Sequence, residues 1–99
     1  MAKWTYHNVS VTYDSGEQSS RPAQTTAAVP GLALTEEWHR GLPTSRWVIT
    51  HIGSGELMVA SMPLRQARVK LLKLAGFADW TLPREELIPI LVAKGWCKH

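Results

Sequence analysis

The chain has 99 residues, of which 44% are hydrophobic and 19% charged, and its formal net charge is +3 at pH 7. This length allows one hydrophobic core, so we expect a single domain over residues 1–99. The only cysteine, Cys97, excludes an intramolecular disulfide. The sequence contains neither an apolar signal segment nor the roughly 18 apolar residues of a membrane span. These features predict a soluble cytoplasmic protein.

The positive charge is concentrated in the C-terminal third. Residues 1–63 carry four basic side chains against five acidic ones, whereas residues 64–99 carry seven against three. This asymmetry permits an anionic partner without requiring one. Five tryptophans in so short a chain favour either core packing with a polar edge or an interface; they are Trp4, Trp38, Trp47, Trp80 and Trp96.

The N-terminal half predicts two strands separated by a long loop. Residues 3–13 are rich in aromatic and β-branched types, which are typical of a strand. Residues 14–26 are polar and contain Gly, Ser and Pro, so we expect a long polar loop. Residues 27–38 predict a second strand that Pro30 and Gly31 interrupt or precede, and residues 39–45 a turn-rich connector.

The next segment, RWVITHIGSGELMVASM, predicts a β-hairpin with strands at 46–52 and 56–62. A two-residue loop at Ser54 and Gly55 pairs Thr50 with Val59. One face of this hairpin then carries Trp47, Ile49, His51, Met58 and Met62, and the opposite face carries Val48, Ile52, Leu57 and Val59. Both faces are apolar, so one of them needs a cover that the two following helices do not supply.

The C-terminal third predicts two helices, at about 64–75 and 82–94. The first has an apolar face and ends near Gly76, and the second has Pro83 in its first turn and ends at Gly95. Pro89 should kink or split the second helix, and residues 96–99 form a short tail. The expected fold is therefore α+β: a small antiparallel sheet of three or four strands, covered on one face by two C-terminal helices.

Catalytic and metal-binding motifs are weak. The candidate nucleophiles are Ser54, Thr50 and Cys97, with His51 or His39 as base and Glu36, Glu37 or Asp79 as orienting carboxylate. Their spacing matches no nucleophile motif, and the tail WCKH lacks the paired spacing of zinc sites. We therefore predict no catalytic residues, no metal and no cofactor.

A basic helix beside a hairpin permits nucleic-acid binding through Arg46, Arg65, Arg68, Lys70 and Lys73. The stretch from Trp38 to Ala75 also resembles AP2-like DNA-binding domains in layout. The residues that carry this resemblance are HRG, the hairpin RWVITHIGSGELMV, and a helix around Ala67 and Ala75. The resemblance implies three antiparallel strands followed by an amphipathic helix, with Arg46 and Trp47 on the DNA-facing sheet.

The two-sided hairpin and the tryptophan content favour a different function. We expect a non-enzymatic binding module that docks on another protein or self-associates as a homodimer, through Trp47, Ile49, His51, Met58 and Met62. A chain of this size suits a small regulator or inhibitor encoded by a phage or mobile element. Nucleic-acid binding through the basic helix is the alternative, and no membrane or small-molecule partner is expected.

Overall fold

A computed structural model of the chain describes residues 3–12 and 15–96. Five strands are followed by two helices. The strands are β1 (Thr5–Thr12), β2 (Gln18–Thr25), β3 (Leu32–His39), β4 (Leu42–His51) and β5 (Glu56–Met62), and the helices are α1 (Leu64–Lys73) and α2 (Arg84–Ala93). The strands form one antiparallel sheet in the order β1-β2-β3-β4-β5.

The expected sheet of three or four strands is wrong, because the segment predicted as a polar loop at 14–26 contains β2. This strand pairs with β1 from Gln18 opposite Thr12 to Thr25 opposite Thr5 without interruption. Its sequence, QSSRPAQT, lacks apolar alternation because only its last part, at Ala23 and Gln24, is buried. The other residues of β2 are held by backbone hydrogen bonds to β1, and such bonds require no pattern of hydrophobic side chains.

The connector predicted at 39–45 is also wrong. β3 continues to His39, and β4 begins at Leu42. The two residues between them, Arg40 and Gly41, have positive φ angles of 53° and 78°. Positive φ at both central residues is what a tight two-residue hairpin turn requires. The β3–β4 hairpin is therefore longer than the sequence indicates.

The β4–β5 hairpin exists, but its register differs from the expected one. Thr50 lies opposite Leu57, and Ile49 opposite Val59, with register shifts on both sides of Ile49. The turn occupies residues 52–55, and its Gly55 N–H donates to the His51 carbonyl at 2.7 Å. The extra residues in the turn and the bulges displace the pairs that a two-residue loop would give.

Both helices lie where the sequence predicts them. Pro89 does not split α2, which continues from Arg84 to Ala93. Gly95, at φ 76°, ends this helix, and the Trp96 N–H donates to the Leu91 carbonyl at 2.9 Å. The helices cover one face of the sheet and bury a cluster of Val29, Leu32, Leu34, Ile49, Val59, Ala67, Leu71, Leu74, Trp80, Leu87 and Leu91.

The sheet curls into a half-barrel. At one corner the Thr12 N–H at the end of β1 donates to the Gly55 carbonyl in the β4–β5 turn, at 2.8 Å. In the middle, β2 pairs with β3 only through Ala23 with Thr35 and Gln24 with Leu34. Pairing stops at Pro22, which has no N–H to donate. Beyond Pro22 the β1–β2 ribbon is therefore no longer paired with the β3–β4 hairpin.

Candidate functional site

The concave face of the half-barrel encloses a cavity of about 840 Å³. This volume lies within the range of small-molecule binding sites. All five strands and the first residue of α2 contribute to its lining, which includes Val11, Thr12, Arg21, Thr35, Glu36, Glu37, Trp38, Val48, Thr50, Glu56, Leu57, Ser61 and Arg84. The cavity is on the face that the helices leave uncovered.

The floor of the cavity is a pair of threonines. The hydroxyls of Thr35 and Thr50 lie 2.8 Å apart in one hydrogen bond, and each residue is 1% exposed. Adjacent strands β3 and β4 carry them, with Val48 directly opposite Thr35. One hydroxyl donates and the other accepts, so the bond occupies one donor and one acceptor of the pair.

An aromatic and acidic cluster stands at one rim. The indole N–H of Trp38 donates to Glu36 Oε1 at 2.9 Å, and the Arg21 guanidinium lies 4.8 Å from the Trp38 ring centroid. Thr44 Oγ1 donates to Glu37 Oε1 at 3.1 Å. This stacking bridges β2 and β3 where their backbone pairing has ended, and it leaves Trp38 38% exposed.

The opposite rim holds an ion pair between β5 and α2. Arg84 Nε contacts both carboxylate oxygens of Glu56, at 2.8 and 2.9 Å. The hydrogen bond to Glu56 and its negative charge raise the pKa of Arg84, so this guanidinium stays charged. Three carboxylates and two guanidinium groups line the cavity in total. Its lining is therefore slightly acidic, although the chain as a whole is basic.

A smaller apolar groove of about 230 Å³ lies between β5 and α2. Its lining includes Leu57, Met58, Leu87, Ile88, Leu91, Val92 and Trp96. Ile88 and Val92 are 39% and 68% exposed at its outer side. The aromatic ring of Trp96 packs against Phe77 and Trp80 rather than extending into solvent as a tail.

The structure brings together two of the residues considered as a nucleophile and its base. His51 Nδ1 lies 2.9 Å from Ser54 Oγ, and His51 Nε2 lies 3.0 Å from the Trp80 carbonyl and 3.1 Å from the Leu82 carbonyl. Two carbonyls can only accept, so Nε2 carries the proton and donates. The same serine hydroxyl accepts the Glu56 N–H at 3.2 Å. The imidazole thus joins the β4–β5 turn to the segment between α1 and α2.

The predicted protein-binding residues share the face that the helices cover. Ile49 and His51 are 0% and 2% exposed, so neither reaches the surface of this chain. Trp47, Met58 and Met62 are half-buried and pack against the core. A role for these three in binding or self-association stays a prediction. The face of the hairpin that lines the cavity is instead the one with Val48, Thr50 and Leu57.

The predicted nucleic-acid residues fall into two groups. Arg65, Lys70 and Lys73 are exposed on α1, and Arg46 donates to Ser61 Oγ and to the Ser61 carbonyl, three residues before this helix. Arg68 is different because it ties α1 to the sheet. Its guanidinium donates to Gln24 Oε1 and to the Tyr6 hydroxyl, and it lies 5.3 Å from the Trp4 ring centroid.

The remaining residues considered for catalysis or metal binding do not lie together. His39 is exposed at the β3–β4 turn, and Asp79 accepts hydrogen bonds from Thr81 in the segment between the helices. Cys97 and His99, from the tail considered as metal ligands, lie outside the described residues. Within residues 3–12 and 15–96, no group of three or more His, Cys, Asp and Glu side chains could hold a metal ion.

Sequence reasoning missed the cavity and most of its lining. Arg21 lies in the segment predicted as a loop, and Arg84 lies in the first turn of the predicted second helix. The ion pair of Arg84 with Glu56 joins residues 28 positions apart, which no local pattern indicates. The expected hairpin also places Val48, Thr50 and Leu57 on one face, but it pairs Thr50 with Val59 where the structure pairs it with Leu57. The available signal was Pro22 inside a polar strand, which marks the point where the sheet opens.

Comparison with protein-family models, with curated proteins and with solved structures gives no match. The order of three antiparallel strands and a helix is present in β3, β4, β5 and α1, so the AP2-like resemblance concerns layout alone. Over the described part of the chain, no helix has the length and apolar character needed to cross a membrane.

Proposed function

We propose that this chain is a non-enzymatic binding module, and that it docks a partner protein in the cavity of the half-barrel. The observation that carries the proposal is the 840 Å³ cavity on the uncovered face of the sheet. An open concave sheet face that combines apolar, aromatic and charged side chains has the composition of a protein interface. Within it, Trp38 is an exposed aromatic anchor at the rim.

The charges of the cavity support a protein partner over a nucleic acid at this site. The ion pair of Arg84 and Glu56 is neutral overall, which leaves the carboxylates of Glu36 and Glu37 against the guanidinium of Arg21. Phosphate groups would be repelled by Glu36 and Glu37 at the rim. A polypeptide with a basic side chain meets no such repulsion.

A display selection tests the proposal. A phage library of linear twelve-residue peptides is selected on the immobilised protein, and the enriched peptides are measured against two variants. Val48→Arg places a charge in the cavity, and the matched control Val69→Arg changes an exposed residue of α1 on the covered side of the sheet. We expect Val48→Arg to abolish binding and Val69→Arg to preserve it. Equal binding by both variants would contradict the cavity as the site.

A second candidate, nucleic-acid binding by α1, is supported by its exposed basic side chains. Arg65, Lys70 and Lys73 project from a helix whose first turn has no acidic residue. Phosphate contacts predict an affinity that falls by roughly 0.9 log unit per log unit of salt for each phosphate neutralised on duplex DNA. Fluorescence anisotropy with a labelled duplex measures this salt dependence of the affinity. The measurement compares wild type with the double variant Lys70→Glu and Lys73→Glu. No binding of wild type at low salt would contradict the candidate.

The cellular setting belongs to the same proposal. A single cysteine and the absence of cysteine pairs suit a reducing cytoplasm. In that compartment a module of this size would act as a regulator or inhibitor of the protein it docks on.

A further inference from the structure

β1 is the edge strand that borders the open side of the half-barrel. The Thr12 N–H faces this gap, because it donates to Gly55 across it. Backbone groups of an antiparallel strand alternate between its two sides with period two, so those of Tyr6, Asn8 and Ser10 point to the same side, where the Ser10 carbonyl already lies against Gly55. The register supports this orientation of Asn8. Its partner in β2 is Pro22, which has no N–H to donate, so Asn8 and Pro22 do not exchange backbone hydrogen bonds.

This edge lacks the features that usually protect an edge strand. Residues 5–12, TYHNVSVT, contain no Lys, Arg, Asp, Glu or Pro, and their eight pairs with β2 show no register shift. Natural edges are commonly blocked by charges, prolines or bulges, because exposed N–H and C=O groups pair with any extended chain. The other edge strand, β5, has register shifts against β4 and is followed by Pro63. β1 is therefore the edge open to pairing.

The gap has defined ends. At one end Thr12 is bonded to Gly55, and at the other the Tyr6 hydroxyl accepts a hydrogen bond from Arg68 at 2.9 Å. The Ser10 carbonyl also lies against Gly55, so the free backbone groups are those of Tyr6 and Asn8, which lie about 7 Å apart at the rise of an extended chain. They can pair with about three residues of a partner segment. A single extended segment fits this bounded space, whereas the β1 of a second copy would bring its own β2 with it.

We propose that β1 binds an extended segment of the partner by strand addition at Tyr6 and Asn8. Main-chain hydrogen bonds to this edge hold the segment, and every second side chain of it enters the cavity. This deepens the proposed function and rests on it. Strand addition is a known mode of recognition in which the backbone gives affinity and alternate side chains give specificity.

The cavity defines the chemistry of that segment. Val11 of β1 and Leu57 of β5 lie on the lining nearest the gap, so the inward side chains are apolar. Glu36 and Glu37 at the far rim add negative charge, which favours a lysine or arginine there. The expected segment alternates apolar and variable residues and carries one basic side chain.

Backbone methylation of a selected peptide tests strand addition without altering the protein. The tightest peptide from the display selection is synthesised with an N-methyl group at each amide in turn. Methylation at every second position should weaken binding about tenfold, because it removes a hydrogen bond to β1 and blocks the approach. The intervening amides face away from β1 and should tolerate the change. A profile without alternation would overturn the proposal.

The variant Asn8→Pro tests the same contact from the protein. It removes an N–H that faces the gap and leaves the bonds to β2 intact, so thermal unfolding should match wild type. We expect about tenfold weaker peptide binding. Peptides that bind equally to a folded Asn8→Pro but are lost with Val48→Arg would overturn strand addition and leave the proposed function standing. If the library yields no binder to wild type, both proposals fall.

Discussion

The imidazole Nε2 of His51 lies 3.0 Å from the main-chain carbonyl of Trp80, 29 residues later in the chain. It lies 3.1 Å from the Leu82 carbonyl as well, while Nδ1 contacts Ser54. One buried side chain therefore joins β4, the β4–β5 turn and the segment that leads into α2. It attaches the helical layer to the end of the sheet where the half-barrel closes.

Replacing this histidine should destabilise the fold. His51→Leu leaves two buried carbonyls without their donor, and we expect it to lower the free energy of unfolding by about 3 kcal/mol. Urea denaturation measures the change. His39→Leu, at an exposed position, is the matched control and should change it by less than about 0.5 kcal/mol. Similar values for the two variants would show that the contacts of His51 carry little stability.

Gly31 should tolerate no side chain. Its φ is +97°, and a Cβ there would lie 2.2 Å from the Trp80 carbonyl oxygen and 2.8 Å from the Thr81 nitrogen. Gly31→Ala should therefore cost more than about 3 kcal/mol. Gly16 has a similar φ of +86° with no atom within 4 Å of the added Cβ, so Gly16→Ala should cost only about 1 kcal/mol. Thermal unfolding of both variants separates backbone strain from steric overlap.

The threonine pair in the cavity floor should behave non-additively. Thr35→Val leaves the Thr50 hydroxyl buried without its partner, which should cost about 1.5 kcal/mol. The double change Thr35→Val with Thr50→Val removes both hydroxyls and should be nearly neutral. A double-mutant cycle from denaturant unfolding measures the coupling. Additive losses would mean that the hydroxyls do not depend on each other.

We expect Arg68 to contribute to the stability of the fold as well as to any nucleic-acid binding. Arg68→Met removes the hydrogen bonds to Gln24 and Tyr6 and the contact with Trp4, and we expect a loss of about 1.5 kcal/mol. Lys73→Met on the same helix should be close to neutral. For this reason the charge reversal that tests nucleic-acid binding uses Lys70 and Lys73 and leaves Arg68 in place. Equal stability of the Arg68 and Lys73 variants would refute the structural role.

Asp79 should titrate below its ordinary pKa of 3.8. The Thr81 hydroxyl and then the Thr81 N–H donate to its carboxylate and lower the pKa. The stability from these bonds is fully present above pH 3.8 and is lost as the pH falls through the lowered pKa. Thr81→Val removes the side-chain bond and should raise the pKa of Asp79 part of the way back. Carbon-13 NMR titration of the Asp79 carboxyl measures it, and an unchanged midpoint would contradict the assignment.

Local chemistry predicted part of the fold well. The helix at 64–75 was evident from the period of Ala67 and Leu71, and both residues are buried. Gly95 predicted the end of α2 because only its positive φ permits the bond from Trp96 to Leu91. Such features depend on neighbours within a few residues. Pro89 does not split α2, because its position on the exposed side of the helix leaves the carbonyl that loses its donor to solvent.

The sheet and the candidate site could not be predicted in the same way. β2 is held by backbone pairs with β1, which any sequence can make, so QSSRPAQT resembled a loop. The residue pairs of the β4–β5 hairpin depended on bulges and a four-residue turn, which shift its register.

By itself, then, the sequence determined the two helices, the existence of the β4–β5 hairpin and the uneven charge, because each depends on local periodicity, end signals or composition. Only the tertiary structure decided that His51 is a buried connector, that Arg21 meets Trp38, and that an acidic cavity opens on the uncovered face. These depend on which strands pair and where pairing stops. Pairing through the backbone is nearly independent of side-chain identity, so it leaves little trace in the order of the residues.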